Sequence, residues 1–582
     1  MGDDAPFVTR RGALAGLGSV AASSLAGCSE RLWSRAENTT PAQVELTIKT
    51  VPADDDVVAA KILSQLRDNL REAGIDTTHE PIPEMNLYRD VLLEQDYDLF
   101  VVRHPGFDEM DALRGLLHSD FVNERGWQNP LQFSDVTIDG HLEQQRTANE
   151  DDREAMLTDL FEYFDETTPY TVIGFPDRIG GVREEISAPA PPTRPVEYYE
   201  ILSREPDDGS RDDPLVVGVF GEGLGDRLNP IVADRTRIDG LLGLLYDPLA
   251  RPVGEDGELV PWLAEEVDWD DSDGLEATIT LREGLRWHDD ERLDADDVAF
   301  TMEFLEDTSM GSVEGGVPAH RYRCRQTVLQ TVEQTDTRTV TFSFGDSNRA
   351  VAERSLTIPI LPKHVWESRS EVIAEYRTDA LATDNQEPVG SGLLELTEVT
   401  SAEIVLDPFE EHVFRDSSAD RPDVLSDFSQ YSGLRFRTYP NPGSMVESLL
   451  DGEIDLTTGM ISSTEREALS DASDSMLRTA SSTSFYMIGY NLHHEDLGNP
   501  RFRRVISRLV DREYVVSEFL DGQGKPATRY SSLVGLRDDE WGFDQPSDLT
   551  TFPGSDGEVN PTRVRSLFED AGYRYEDDEL LR

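Results

Sequence analysis

Between residues 44 and 103 the apolar positions change period several times. "VELTIKTV" alternates apolar and polar side chains, the two-residue repeat of a half-buried strand, and "DDVVAAKILSQLRDNLREAG" then brings apolar residues back at helical spacing. "IDTTHEPI" returns to the extended pattern, which completes a β-α-β unit. A second helix, "MNLYRDVLLEQ", leads into the strand "YDLFVVR". The last residues, "SLFEDAGYRYEDDELLR", read as an amphipathic helix that stops at Gly572, with an extended run beginning at Tyr573. A helix ending on glycine usually hands over to the strand that covers it. No such strand follows before Arg582, so the pattern leaves one half of a β-α-β unit at the back of the chain and another at the front.

Between these ends, residues 188–213 ("SAPAPPTRPVEYYEILSREPDDGSRDDP" and its surroundings) are rich in Pro, Asp and Gly and predict a surface linker. A fresh strand, "LVVGVF", begins at Leu215, and mixed strand and helix signals continue from there. "TITLREGLRW" alternates like a strand, "HDDER" predicts a turn, and "DADDVAFTMEFL" opens a helix with carboxylates in its first turn, where the helix dipole favours them. At 582 residues the chain is too long for one core, which predicts two lobes or more.

Charge changes the picture more than size does. The chain has 116 acidic and 53 basic residues, a net charge of −63, with the acids dispersed over its whole length and only four lysines, Lys49, Lys61, Lys363 and Lys525. Self-repulsion of that size is tolerable where salt screens it, the Debye length being about 3 Å at molar salt. The composition therefore predicts a salt-rich habitat, and it excludes nucleic acid as a partner, since phosphate neutralisation needs clustered Lys and Arg. The two cysteines, Cys28 and Cys324, cannot make a disulfide framework.

At the N-terminus, Arg10-Arg11 precedes a short, weakly apolar run rich in Gly, Ala and Ser that ends in "LAGC". The run is too short to span a bilayer, which needs about 20 apolar residues. It resembles a twin-arginine export signal closed by a lipobox, with Cys28 as the lipid-bearing residue. That predicts a protein at the extracellular face of the cell membrane, tethered by its lipid.

From Leu215 onward, "ITLREGLRWHDDERLDADDVAFTMEF", "IPILPKHVWE", "PVGSGLLELTEV", "LLDGEIDLTTG" and "FYMIGYNLHHEDLGNPRFRRVISRLVDREYVVSEFLDGQGKPA" occur in a familiar order. The series resembles the solute-binding proteins of the peptide/nickel ABC-transporter family, the dipeptide- and oligopeptide-binding proteins. The resemblance implies an α/β, two-lobed periplasmic-binding-protein type II fold. In that family the chain starts at the strand matching "LVVGVF", and the pieces that should follow "AGY" here stand at residues 44–176. The sequence thus resembles a circular permutation of the family. The implied organisation is a signal at 1–28, a tether at 29–43, the second part of lobe II at 44–165 and the closing segment of lobe I at 166–187. The linker at 188–213 would join the family's usual ends, lobe I would occupy 214–482, and the hinge crossing with the first part of lobe II 483–582. Surface turns are where permutation is tolerated.

The function so implied is capture of a small solute, a peptide or a related molecule, and its delivery to a membrane ABC permease by a monomeric receptor without cofactor, metal or catalytic residues. A sensor or scaffold lipoprotein that kept the fold without transport is the alternative. The sequence lacks a Gly-rich phosphate loop, a G-x-S-x-G elbow and an H-E-x-x-H motif. His493-His494 followed by Glu495 reads as a surface loop rather than a metal site, since adjacent side chains of a strand point apart. By motif, the resemblance carries ligand-binding roles onto Gly390, Ser391 and Gly392 of "PVGSGLLEL", and onto Tyr486, Tyr490 and Asn491 of "FYMIGYN", which would face the cleft or hinge. For the two tyrosines ordinary strand packing is the other reading. Peptide-binding members carry an Asp after the strand matching "YDLFVVR"; here Arg103-His104 stands first and Asp108 is the next acid. Arg103 would favour a carboxylate or phosphate, or lie exposed.

Overall fold

The computed structural model describes residues 42–582 apart from 108, 125–127, 205–212, 222, 233–237, 239, 255–256, 375–376, 417–419, 426–430, 459–460, 462, 473 and 529–550. Cys28 and Asp108 lie outside the described residues. The β-α-β unit at the front forms as its periodicity predicts: strand Glu45–Thr50, helix Val57–Glu72 and strand Asp76–Pro81, with the two strands paired in parallel. The helix buries Val58, Ala59, Ile62, Leu63, Leu66 and Leu70 and is N-capped by Asp56. Strand Leu99–His104 joins on the other edge of Glu45–Thr50.

This sheet is completed by strands from far along the chain. Its spatial order is Asp76–Pro81, Glu45–Thr50, Leu99–His104, Phe485–Tyr490, Tyr170–Pro176 and Gly524–Pro526. Phe485–Tyr490 runs antiparallel to both of its neighbours. The final helix, Pro561–Asp570, stops before Gly572, whose φ of 101° is the left-handed conformation that favours glycine. The hairpin Arg574–Glu576/Glu579–Leu581 follows and lies against the front of the chain. Gln43 bridges to Leu581, Val44 N–H donates to Leu580 O (2.9 Å), and Leu580 N–H donates to Gly74 O (2.9 Å). Strands therefore do follow Gly572 within the chain, contrary to the pattern's expectation, and apolar residues from Val44 to Ile173 and from Phe485 to Leu580 share one hydrophobic core.

The other lobe is built on a seven-stranded mixed sheet, ordered Leu394–Val399, Glu403–Pro408, Leu434–Tyr439, Leu215–Phe220, Leu456–Thr457, Arg178–Arg183 and Ser475–Ala480. A larger core fills one side of it, and a smaller one around Met445, Leu449 and Leu469 covers the other. A four-stranded antiparallel sheet, with Leu275–Leu281 at its centre, extends the larger core. The helix Ala295–Glu306 starts at Asp294 with a capping box, Asp296 and Asp297 in its first turn, as its sequence predicts.

Two expectations are corrected. Residues 188–213 are not a plain surface linker: Pro195–Ser203 is a helix that buries Val196, Tyr198, Tyr199, Ile201 and Leu202 in the larger core, and Glu197 caps its start. The Pro and charged residues flanking "VEYYEIL" concealed a one-sided apolar stripe. Residues 166–187 do not belong to one lobe either. Tyr170–Pro176 pairs in the six-stranded sheet and Arg178–Arg183 in the seven-stranded one, so that segment crosses between lobes at Asp177. The return crossing is residues 481–484, between Ser475–Ala480 and Phe485–Tyr490. Among the described residues no helix is long and apolar enough to cross a membrane.

Candidate functional site at the interlobe hinge

The strand directions decide where a ligand can meet both lobes. Tyr170–Pro176 leaves its sheet at its C-terminal end, and Phe485–Tyr490 enters the same sheet at its N-terminal end. Because Phe485 pairs with His104, the carboxyl ends of Leu99–His104 and its parallel neighbour Glu45–Thr50 lie at the hinge. In the other lobe Arg178–Arg183 enters from the hinge and runs antiparallel to Leu456–Thr457, which is parallel to Leu215–Phe220 and so to Leu434–Tyr439. Their carboxyl ends face the hinge too. Ligands of open α/β sheets bind outside the carboxyl ends of parallel strands, and here two such ends are turned towards one another.

On the second lobe this end carries a polar cluster. Arg103, half-buried, donates from Nε (3.1 Å) and one terminal nitrogen (2.9 Å) to Ser484 Oγ, which also contacts Ser482 Oγ at 2.7 Å. Its register partner Tyr486 is fully buried and donates its hydroxyl to Asp56 Oδ1 at 3.2 Å. Asp56 Oδ1 also accepts the N–H groups of Val58 (3.0 Å) and Ala59 (2.9 Å). Burial pushes the Asp56 carboxyl up from its ordinary range, partly offset by the N–H of Ala59 and the charge of Arg103. Asp56 Oδ2 and the remaining guanidinium N–H groups of Arg103 have no hydrogen-bond partner among the described residues. The cluster thus offers one anionic and one cationic valence side by side.

Next to it, His104 stacks on Phe485 (4.8 Å between ring centres) and lies 4.6 Å from Phe107. Its Nδ1 accepts Gly106 N–H at 3.0 Å, and burial pulls its pKa down to about 4. Gly106 has a φ of 100°, and a Cβ there would stand 2.5 Å from Thr483 O, so the loop after this strand is packed onto the hinge crossing.

The other expected residues fall elsewhere. Tyr490 lies four residues from Tyr486, about 13 Å along the strand, and its hydroxyl meets Thr171 Oγ1 at 2.5 Å in the core. Asn491 donates to Tyr97 O (2.7 Å) at that same far end. Gly390, Ser391 and Gly392 pack in the first lobe: Ser391 N–H and Gly392 N–H share Leu245 O (3.0 and 2.9 Å), and Ser391 Oγ accepts Asp247 N–H (3.1 Å). His288 clasps the same segment, with Gly390 N–H donating to Nδ1 (3.3 Å) and Nε2 donating to Gly392 O (3.0 Å). Burial pulls its pKa down to about 4. His494 Nδ1 accepts Asp496 N–H (3.2 Å) in a turn. Asp56 was not expected, because "DDDVV" reads only as a helix start; its partner Tyr486 lies 430 residues away.

His104 and His288 set a pH dependence. Each is held neutral when folded, while the unfolded chain takes up a proton near 6.5, so stability is lost as pH falls from about 6.5 to about 4. Thermal unfolding across that range should show Tm falling, and a His288→Gln, His104→Phe double variant should show a flatter profile.

Among the described residues one group could be considered for a metal: His118, Asp120 and Glu143. Arg114 already contacts Glu143 Oε1 at 2.7 Å and Asp120 Oδ2 at 3.2 Å, supplying the positive charge an ion would bring. His118 and Arg114 hold the Glu143 carboxyl down at about 2.

Two α/β lobes, two chain crossings and opposed strand ends define a two-lobed periplasmic-binding-protein fold. The sequence itself places it further: residues 258–582 match the family described as bacterial extracellular solute-binding proteins, family 5, middle region, and the chain belongs to that family. It is 22% identical over 366 residues to the oligopeptide-binding protein AppA of Bacillus subtilis, covering 62% of this chain and 59% of that one. It is 27% identical over 342 residues to protein XP55 of Streptomyces lividans, covering 58% and 55%. The chain thus spans less than two thirds of the length of these relatives. Similar solved structures include NikZ of Campylobacter jejuni with Ni(L-His) (19% identity, 63% of this chain and 65% of that one, TM-score 0.43). Another is B. subtilis AppA with a nonapeptide (18%, 63% and 66%, TM-score 0.44).

Proposed function

We propose that this protein is an extracellular receptor that closes on a small solute, a peptide or related zwitterion, and hands it to an ABC permease. The observation that carries the proposal is the convergence of both sets of strand ends on the hinge, where Asp56 and Arg103 offer opposite charges to one ligand. An ammonium group would sit on Asp56 Oδ2 and a carboxylate on the unused face of Arg103. No chemical turnover is involved; closure and release do the work. The test is thermal unfolding in molar KCl with panels of peptides, amino acids, sugars, nickel chelates and organic anions. A ligand at about 100 times its Kd stabilises by about 2.7 kcal/mol. A shift confined to zwitterions is expected. A shift with sugars alone would reject the charge-reading site, and no shift at all would favour the sensor or scaffold reading.

The same account includes a permuted chain order, export and anchoring. In favour of permutation is the position of the three front strands, which complete a sheet with Phe485–Tyr490, and the bridge between Gln43 and Leu581. A gene that joins residue 582 to residue 44 and opens the chain within 205–212 should give a protein of similar Tm and ligand response; failure to fold would count against it. Twin-arginine export and lipidation at Cys28 rest on "TRRGALAGLGSVAASSLAGC". Mass spectrometry of the membrane-bound form should find a lipid on Cys28, and an unmodified, uncleaved N-terminus would refute this. The net charge of −63 supports a salt-adapted protein, whose Tm should rise steeply with KCl.

A further inference from the structure

The lobes touch at a second place, away from the crossings. On the second lobe the contact is made by the helix Ala112–Leu117, Glu124 and Gln128 beyond it, and the end of the helix Val136–Thr147; on the first lobe, by residues 320–348. The last turn of a helix leaves carbonyls without partners. Here those of Gln145 and Arg146 are taken from across the cleft: Asn348 Nδ2 donates to Gln145 O at 2.7 Å and Asn348 N–H to Arg146 O at 2.6 Å. Asn348 at the same time caps its own helix through Val351 N–H (3.0 Å). Cys324 donates its thiol to Asp111 O at 3.1 Å, and Arg146 donates to Cys324 O at 3.3 Å while pairing with Asp111 Oδ2 at 2.5 Å. Arg323 pairs with Glu124 at 3.0 Å, and Gln128 donates to His320 O. Asp111, Arg146 and Gln128 are all at least nine-tenths buried. Opening the lobes would expose this charge pair and strand two helix-end carbonyls until water reached them.

We infer that this contact is a latch, formed by Arg323, Cys324 and Asn348 of one lobe on Asp111, Glu124 and Arg146 of the other, which holds the lobes closed without a ligand's help. Ligand affinity then depends on residues that never touch the ligand, because a latch that favours the closed state raises the competent fraction. Gly115 gives access to it. It lies within the helix Ala112–Leu117, and a Cβ there would stand 3.4 Å from the Cys324 Cβ, so a large side chain wedges the lobes apart while leaving a better helix former in place.

Cys324 is its own reporter, the other cysteine being removed as Cys28→Ser in the full chain. Maleimide labelling without ligand should be slow in the parent protein and about ten-fold or more faster in Gly115→Leu and in Asn348→Ala, as expected for an opening equilibrium that controls exposure. Small-angle scattering should show a larger radius of gyration, with circular dichroism unchanged. Arg323→Ala, on the half-buried rim, gives the same reading if either of the others folds poorly. Fast labelling of the parent, or variants as slow and compact as the parent, would overturn the latch. Because no ligand is used, that result is separate from the receptor reading.

Discussion

Asp247→Ala is expected to cost about 3–5 kcal/mol, the penalty for removing one partner of a buried ion pair. The Asp247 side chain is fully buried. Its Oδ1 accepts from Arg251 at 2.7 Å and its Oδ2 from His412 Nε2 at 3.0 Å, and both partners are themselves buried. Arg251 stacks over Trp262 at 4.8 Å and also donates to Gly243 O, so it cannot swing out to water when the carboxylate is lost. The backbone N–H of Asp247 donates to Ser391 Oγ and so ties this network to "PVGSG". That segment has no slack: a Cβ on Gly390 would stand 1.9 Å from Leu245 O. Urea denaturation should therefore show the first lobe of Asp247→Ala unfolding well before the second, with Asp247→Asn intermediate. A midpoint within about 1 kcal/mol of the parent would mean that this network is not what holds the lobe.

The second large effect is on binding. Arg103→Ala should weaken a carboxylate-bearing ligand by 10- to 100-fold, since hydrogen bonds to charged groups are worth about 1.5–3 kcal/mol. Asp56 needs a gentler change, because alanine would also remove the cap of a 16-residue helix. Asn keeps the acceptor for Val58 and Ala59 and loses only the charge. Asp56→Asn should leave Tm nearly unchanged yet weaken an ammonium-bearing ligand by a similar factor, measured by calorimetry. Equal affinities in both variants and the parent would place the ligand's charges elsewhere.

Local periodicity made the elements legible: the strand–helix–strand run from Glu45 to Pro81, the capped helix at Ala295 and the stop at Gly572 all follow from short-range pattern. Pairing was less accessible. Tyr486 and Tyr490 carry the same chemistry on the same strand face, and only the antiparallel register against Leu99–His104 sends one to the hinge and the other to the far end. The buried helix Pro195–Ser203 was hidden by its polar flanks, and Asp56 by two neighbouring aspartates that would cap equally well on paper. The contact of Asn348 with Gln145 and Arg146 joins residues some 200 apart and has no local signal at all.

Hydrogen–deuterium exchange, with and without whichever ligand raises Tm, tests the site most directly. Protection is expected in residues 52–59, 103–107 and 482–486 on the second-lobe side of the hinge and in residues 221 and 223–226 of the other lobe, the segments at the opposed strand ends. Protection confined to one lobe, or to the surface away from Asp56 and Arg103, would contradict a ligand held between the lobes at the hinge.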